Sequence, residues 1–100
     1  MRVLVLLELA GGRNPAELAP HTVPENRAVW DLYVQGTVRE MHFRQDKPGA
    51  VLALEVADTD EARRVADTLP MVAAGLLTAE FVPLGPFKPL EALFAKQGQP

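Results

Sequence analysis

The sequence predicts a single α+β domain with the element order βαββαβ. Three observations carry this prediction. Four short strand-like runs alternate with two segments of helical character, a turn-forming Gln45-Asp46-Lys47-Pro48-Gly49 cluster joins the two middle runs, and 100 residues leave room for one core. Residues 3–9 form a branched-rich apolar run closed by Gly11-Gly12, which reads as a buried first strand. Glu8 interrupts that run and no small-residue cleavage pattern follows, so it reads as a strand and not as a signal peptide. Asn14-Pro15-Ala16-Glu17 then offers an N-cap, a proline at the first helical position and an acid in the first turn, with Pro20 limiting it to about one turn. Thr22 and Glu25 stand three apart as a capping box, and Gly36 supplies a left-handed stop, so the first long helix is expected over residues 23–35.

Residues 37–44 and 50–56 flank the turn cluster and should form a hairpin. Asp58-Thr59-Asp60-Glu61 repeats the capping logic. Ala62, Val65, Ala66 and Leu69 then share one helical face before Pro70, giving a second helix near 60–69. Residues 76–84 alternate as a fourth strand, and residues 89–96 suit a short C-terminal helix ending at Gly98. Right-handed crossovers turn this order into the ferredoxin-like arrangement: a four-stranded antiparallel sheet with both helices on one face and the second strand at an edge.

Alternation gives the sheet two unlike faces. Val3, Val5, Leu7 and Leu9 fall on one face with Leu52, Leu54, Val56, Leu77, Ala79 and Phe81, a purely apolar set suited to packing beneath the helices. The opposite face is mixed: Leu4, Leu6, Val51, Ala53 and Val82 with Glu8, Glu55, Thr78 and Glu80, and with Val38, Glu40, His42 and Arg44 from the edge strand. One side of an antiparallel sheet is often wet. The apolar members of this face, however, would form a patch larger than monomers usually expose, which predicts a homodimer with sheets stacked face to face.

Composition closes several function classes. A net charge of −3 with ten scattered basic residues lacks the clustered basic face of a nucleic-acid binder, and no apolar run is long enough to span a bilayer. The absence of cysteine removes disulfides, thiolate metal sites and cysteine nucleophiles, in keeping with a cytoplasmic protein. No glycine-rich phosphate loop, histidine metal cluster or serine nucleophile elbow is present, so neither a cofactor nor a metal is expected.

The polar candidates are few, and each has a structural alternative. Glu40-x-His42-x-Arg44 projects an acid, a base and a cation side by side along a strand, although edge strands also carry charge simply to discourage aggregation. Arg39 is placed on the helix-facing side with Met41 and Phe43, where an arginine wants an anionic partner or a route to solvent. His21 and Glu25, one helical turn apart, could share a proton, or serve as a loop histidine and a capping acid. Trp30 and Tyr33 could wall a pocket or fill the core. Glu55 would face the interior between two stacked sheets.

The stretch from Gly36 through Arg39, the two strands to Glu55-Val56, the Thr68-Leu69-Pro70-Met71 helix end and the strand closing at Pro86 resemble the muconolactone isomerase family over nearly the whole chain. The resemblance implies a dimeric α+β barrel of ferredoxin-like domains, further assembly in some members, and proton movement around an unsaturated lactone without cofactor or metal. It places Glu25 and Arg39 where the family carries acid–base and cationic residues; the chain departs from the family in having no lysine before Lys47. The expected function is a cofactor-independent isomerase or cyclase acting on a small unsaturated or aromatic carbonyl compound. His21, Glu25 or His42 would carry the proton, and Trp30, Tyr33, Arg39, Glu40 and Glu55 would contact substrate. A cofactor-free monooxygenase using the same pocket and a non-catalytic dimeric ligand-binding protein are the alternatives.

Overall fold

The computed structural model describes residues 1–95. Its elements are β1 (Arg2–Leu9), a 3-10 helix (Pro15–His21), α1 (Thr22–Val34), β2 (Val38–Phe43), β3 (Gly49–Glu55), α2 (Thr59–Asp67), α3 (Pro70–Ala73), β4 (Leu77–Leu84) and a second 3-10 helix (Lys88–Phe94). All strand pairs are antiparallel and the sheet order is β2-β3-β1-β4, the ferredoxin-like α+β fold with β2 and β4 at the edges. The expected apolar face is the core: Val3, Val5, Leu7, Leu52 and Leu54 are buried against Ala62 and Ala66 of α2 and against Leu69 and Met71. The 3-10 helix and α1 cover the β2–β3 side of that face, with Leu18, Val29 and Leu32 packed on the cluster.

Four local features differ from expectation, each for a physical reason. The Asn14 cap forms, accepting from Ala16 N–H while Glu17 accepts from Asn14 N–H, but the segment does not stop at Pro20. A proline's fixed φ of about −65° is itself helical, and the 3-10 helix runs straight into α1. Thr22 is therefore already helical (φ −60°, ψ −48°) and cannot act as an N-cap; its hydroxyl donates to Leu18 O, and Glu25 is free to turn inward. The capping box at Thr22 and Glu25 does not form.

The third difference lies on β2. A β-bulge interrupts the ladder between Val38, opposite Leu54, and Glu40, opposite Ala53. One extra residue in an edge strand shifts the alternation, so Val38 is buried in the core and not on the outer face with Glu40 and His42. Arg39 is the residue left over. Instead of standing in the helix-facing layer with Met41 and Phe43, it is exposed and folds back to donate from Nε to Gly36 O at 2.6 Å. Finally, the C-terminal segment expected as a helix over residues 89–96 is a 3-10 helix ending at Phe94 with no buried residue; Lys96 and Gly98 lie outside the described residues.

Candidate functional site

A cleft of about 590 Å3 opens between the first 3-10 helix and α1 on one side and the β2–β3 end of the sheet on the other. The size falls within the range of small-molecule pockets, roughly 300–1,000 Å3. The sheet carries small residues at this corner of the cleft. Gly49 and Ala50 begin β3 there, and a Cβ on Gly49, held at φ +153°, would collide with the Leu7 carbonyl oxygen. Leu7, Leu18, Leu52 and Leu77 make the walls apolar. Trp30, Phe43 and Arg44 stand around the opening. Trp30 is 57% and Phe43 89% exposed, so the large side chains border the space without filling it.

Among the described residues Glu25 is the buried charged one, 7% exposed, and it lines this cleft. Its Oε1 accepts the backbone N–H of Met71 at 2.9 Å, a bond that α3 delivers across the core from 46 residues away. Burial pushes the Glu25 carboxyl above its ordinary range, and the Met71 hydrogen bond and the nearby His21 charge offset only part of that rise. A carboxyl held this way takes and returns a proton more readily near neutral pH than a solvated one. His21 flanks it as the residue preceding α1.

Arg44 borders the cleft at the end of β2, with its guanidinium turned toward the β2–β3 turn and the outer-face Glu8 and Glu80. It forks onto Asp46, Nε to Oδ1 at 3.0 Å and Nη2 to Oδ2 at 2.8 Å, and this hydrogen-bonded pairing lowers Asp46 to about 2. The fork fixes the guanidinium plane while leaving its remaining N–H groups to other acceptors. Thr22 and Asn26 add neutral polar groups from α1.

The remaining predicted residues divide by location. Trp30 lines the cleft; Tyr33 stacks on it with ring centroids 5.6 Å apart but lies outside the lining. His42 borders the opening from β2, while its imidazole Nε2 lies 3.4 Å from Glu40 Oε1. Glu40 and Glu55 belong to a separate ionic cluster on the outer side. There Glu55 meets the Met1 amine at 2.8 Å and Arg2 at 3.3 Å, and Arg2 reaches Glu40 at 4.0 Å. Arg39 lies outside the cleft for the reason given by the bulge. The structure thus gathers Glu25, Trp30 and the β2 end carrying His42, with His21 beside them, and leaves Arg39, Glu40 and Glu55 elsewhere.

Two cleft residues were not singled out as site residues from sequence: Asn26, and Met71, whose amide fixes Glu25. The Leu69-Pro70-Met71 turn was the available signal, since a proline at a helix start leaves the next amides free to donate.

No protein-family model matches the chain, and no curated protein matches it. Among solved structures it is similar to 5-chloro-2-hydroxyhydroquinone dehydrochlorinase from Burkholderia phenoliruptrix, in complex with 2,5-dihydroxybenzoquinone. The TM-score is 0.72 at 15% sequence identity, covering 88% of this chain and 97% of that one. The shared property is the fold. No helix among the described residues is long and apolar enough to cross a membrane.

Proposed function

We propose that the chain is a cofactor-independent enzyme that moves a proton on a small unsaturated or aromatic carbonyl compound held in the helix–sheet cleft, an isomerase- or cyclase-type reaction. The observation that carries this reading is Glu25: a carboxyl buried in an apolar cleft, hydrogen-bonded on one oxygen by Met71 N–H and raised in pKa by its burial. In the proposed step Glu25 removes a proton from a carbon next to the substrate carbonyl. The resulting enolate oxygen accepts a hydrogen bond from the side-chain amide of Asn26, which lines the cleft, and the protonated Glu25 returns its proton to a second carbon of the conjugated system. Trp30 and Met41 supply the apolar wall against which a flat ring lies, and His21 exchanges protons between Glu25 and solvent.

The solved neighbour supports the substrate class, since its name gives a small aromatic hydroquinone and its complex holds a quinone. The open cleft also favours a ligand-handling role over a domain whose aromatic residues simply fill a core. The reading includes a homodimer. On the outer face Leu4, Leu6, Val51 and Val82 are only half-buried, and ion pairs frame them at both ends, Arg2–Glu55 at one and Lys47–Glu8 at the other. An apolar centre with a charged rim is the usual anatomy of a protein interface.

The test uses muconolactone, 5-chloro-2-hydroxyhydroquinone and 2,5-dihydroxybenzoquinone in deuterated buffer, with exchange at carbon followed by NMR. Catalysed exchange on at least one compound, lost in Glu25→Gln, is the expected result. Exchange by wild type that survives in Glu25→Gln, or no exchange on any of the three, rejects the assignment. Oxygen uptake with the hydroquinone would instead identify a cofactor-free monooxygenase.

A further inference from the structure

Helix α1 carries apolar residues on two opposite sides. Glu25, Ala28 and Leu32 face the cleft and the core, with Val29 beside them. At 3.6 residues per turn, Val23, Arg27, Trp30 and Val34 fall within about 60° of one another on the other side. All four are exposed, Val23 at 72% and Val34 at 66%. A surface helix ordinarily confines its apolar residues to the stripe that packs on the core, so the outer stripe is a surface in want of a partner.

The stripe is self-complementary. Its members are four, three and four residues apart, a spacing that reads the same in both directions along the helix. Laid antiparallel on a second copy, Val23 meets Val34 and Arg27 meets Trp30, and each contact recurs with the roles exchanged, as an isologous interface requires. The charges agree. Arg27 and Asp31 are exposed on one flank of the stripe, and neither has an ion-pair partner among the described residues. An antiparallel pair brings like flanks together, so Arg27 of each copy stands beside Asp31 of the other; a parallel pair would set Arg27 against Arg27. The shape agrees as well. Val23, Asn26, Arg27 and Trp30 surround a hollow of about 300 Å3, and residues with this i, i+3, i+4, i+7 spacing form the hole of knobs-into-holes packing. Trp30 of the opposed helix is the knob that falls there, its ring against the Arg27 guanidinium in a favourable cation–π contact.

We propose that α1 pairs antiparallel with α1 of a second copy through Val23, Arg27, Trp30 and Val34. Because α1 lies on the helix side of the sheet, this contact is separate from the stacking of two outer faces and extends assembly beyond that pair. The inference does not rest on the chemistry proposed for Glu25, and its test reads no activity.

The chain has no cysteine, so introduced thiols report cleanly. Full-length Val23→Cys/Val34→Cys protein is oxidised and its disulfide-linked peptides are mapped by mass spectrometry; both sites are exposed, so neither change touches the core. The two positions are about 16 Å apart along the helix, too far for a disulfide within one chain. The expected product is a covalent dimer in which links from position 23 to position 34 outnumber 23–23 and 34–34 links several-fold. Adding Arg27→Glu should cut the yield several-fold, and adding Asp31→Arg to that variant should restore it. Links mainly between like positions, or a yield indifferent to the charge reversal, overturn the proposal. So does the absence of any link, which would assign the stripe to an unlike partner.

Discussion

Glu25 and Glu55 sit on opposite sides of the same sheet, and their surroundings push their carboxyl groups in opposite directions. Glu25 faces the cleft under α1, where loss of water raises it and a single backbone N–H holds one oxygen. Glu55 lies at the end of β3 on the outer side, where its hydrogen bond with the Met1 amine, reinforced by Arg2, pulls it below its ordinary value. One side of the sheet stores a carboxyl that resists ionisation, and the other spends its carboxyls on ion pairs in water. The first arrangement suits a group that exchanges a proton; the second is a solvent-accessible ionic network.

The largest expected effect that sharpens this contrast is on turnover. Glu25→Gln should lower catalysed proton exchange by about 10²–10⁴-fold, the usual contribution of a positioned acid–base group, whereas Glu55→Gln should leave it within a factor of about two. Equal losses in the two variants would erase the distinction between the faces.

Next comes packing. Leu54, fully buried beneath the helices, should cost about 2–5 kcal/mol when changed to Ala in urea unfolding. Leu6→Ala, on the half-buried outer face, should cost clearly less in dilute solution and should instead raise the dimer dissociation constant in sedimentation measurements. A monomeric wild-type protein at high concentration would remove the outer-face half of the comparison.

A smaller effect concerns pH. Because the folded Glu25 carboxyl is raised above 4.5, its ionisation opposes folding, and stability falls as pH rises from 4.5 through the folded value. Glu25→Gln should therefore be more stable than wild type at neutral pH, by about 1 kcal/mol or less, with the two melting curves converging below pH 4.5. A Gln variant less stable than wild type at pH 7 would mean that the Met71 bond requires the charged acceptor.

Glu55 should show the smallest change and the reverse sign. Its lowered carboxyl contributes stability that is present above 4.5 and lost as pH falls through the folded value, so Glu55→Gln should lack that part of the acid limb. The difference should shrink in high salt, since the partners are solvent-accessible.

Much of the fold was legible because it rests on local signals. The turn cluster at 45–49, the Asp58 cap, whose side chain accepts from Glu61 N–H, and the alternation of Val3, Val5 and Leu7 against Leu52 and Leu54 each follow from neighbouring residues. The site was less legible because its decisive contacts are remote. The Thr22–Glu25 spacing has the form of a capping box, and only the continuous helical path through Pro20 and the arrival of Met71 N–H turn Glu25 into the cleft. Arg39 and Val38 exchange places in the alternation because of one inserted residue in an edge strand, which carries no sequence mark. Arg44 keeps the outer-face side that alternation assigns it, but its fork onto Asp46 depends on how the β2–β3 turn folds.

By itself the sequence determined the element order, the apolar layer beneath the helices and the mixed character of the other face, because periodicity and turn chemistry act over a few residues. The tertiary structure decided which carboxylate loses its water and which backbone amide reaches it. It also decided which apolar side chains remain uncovered, because solvation is set by chain segments tens of residues apart that meet only when the sheet is assembled.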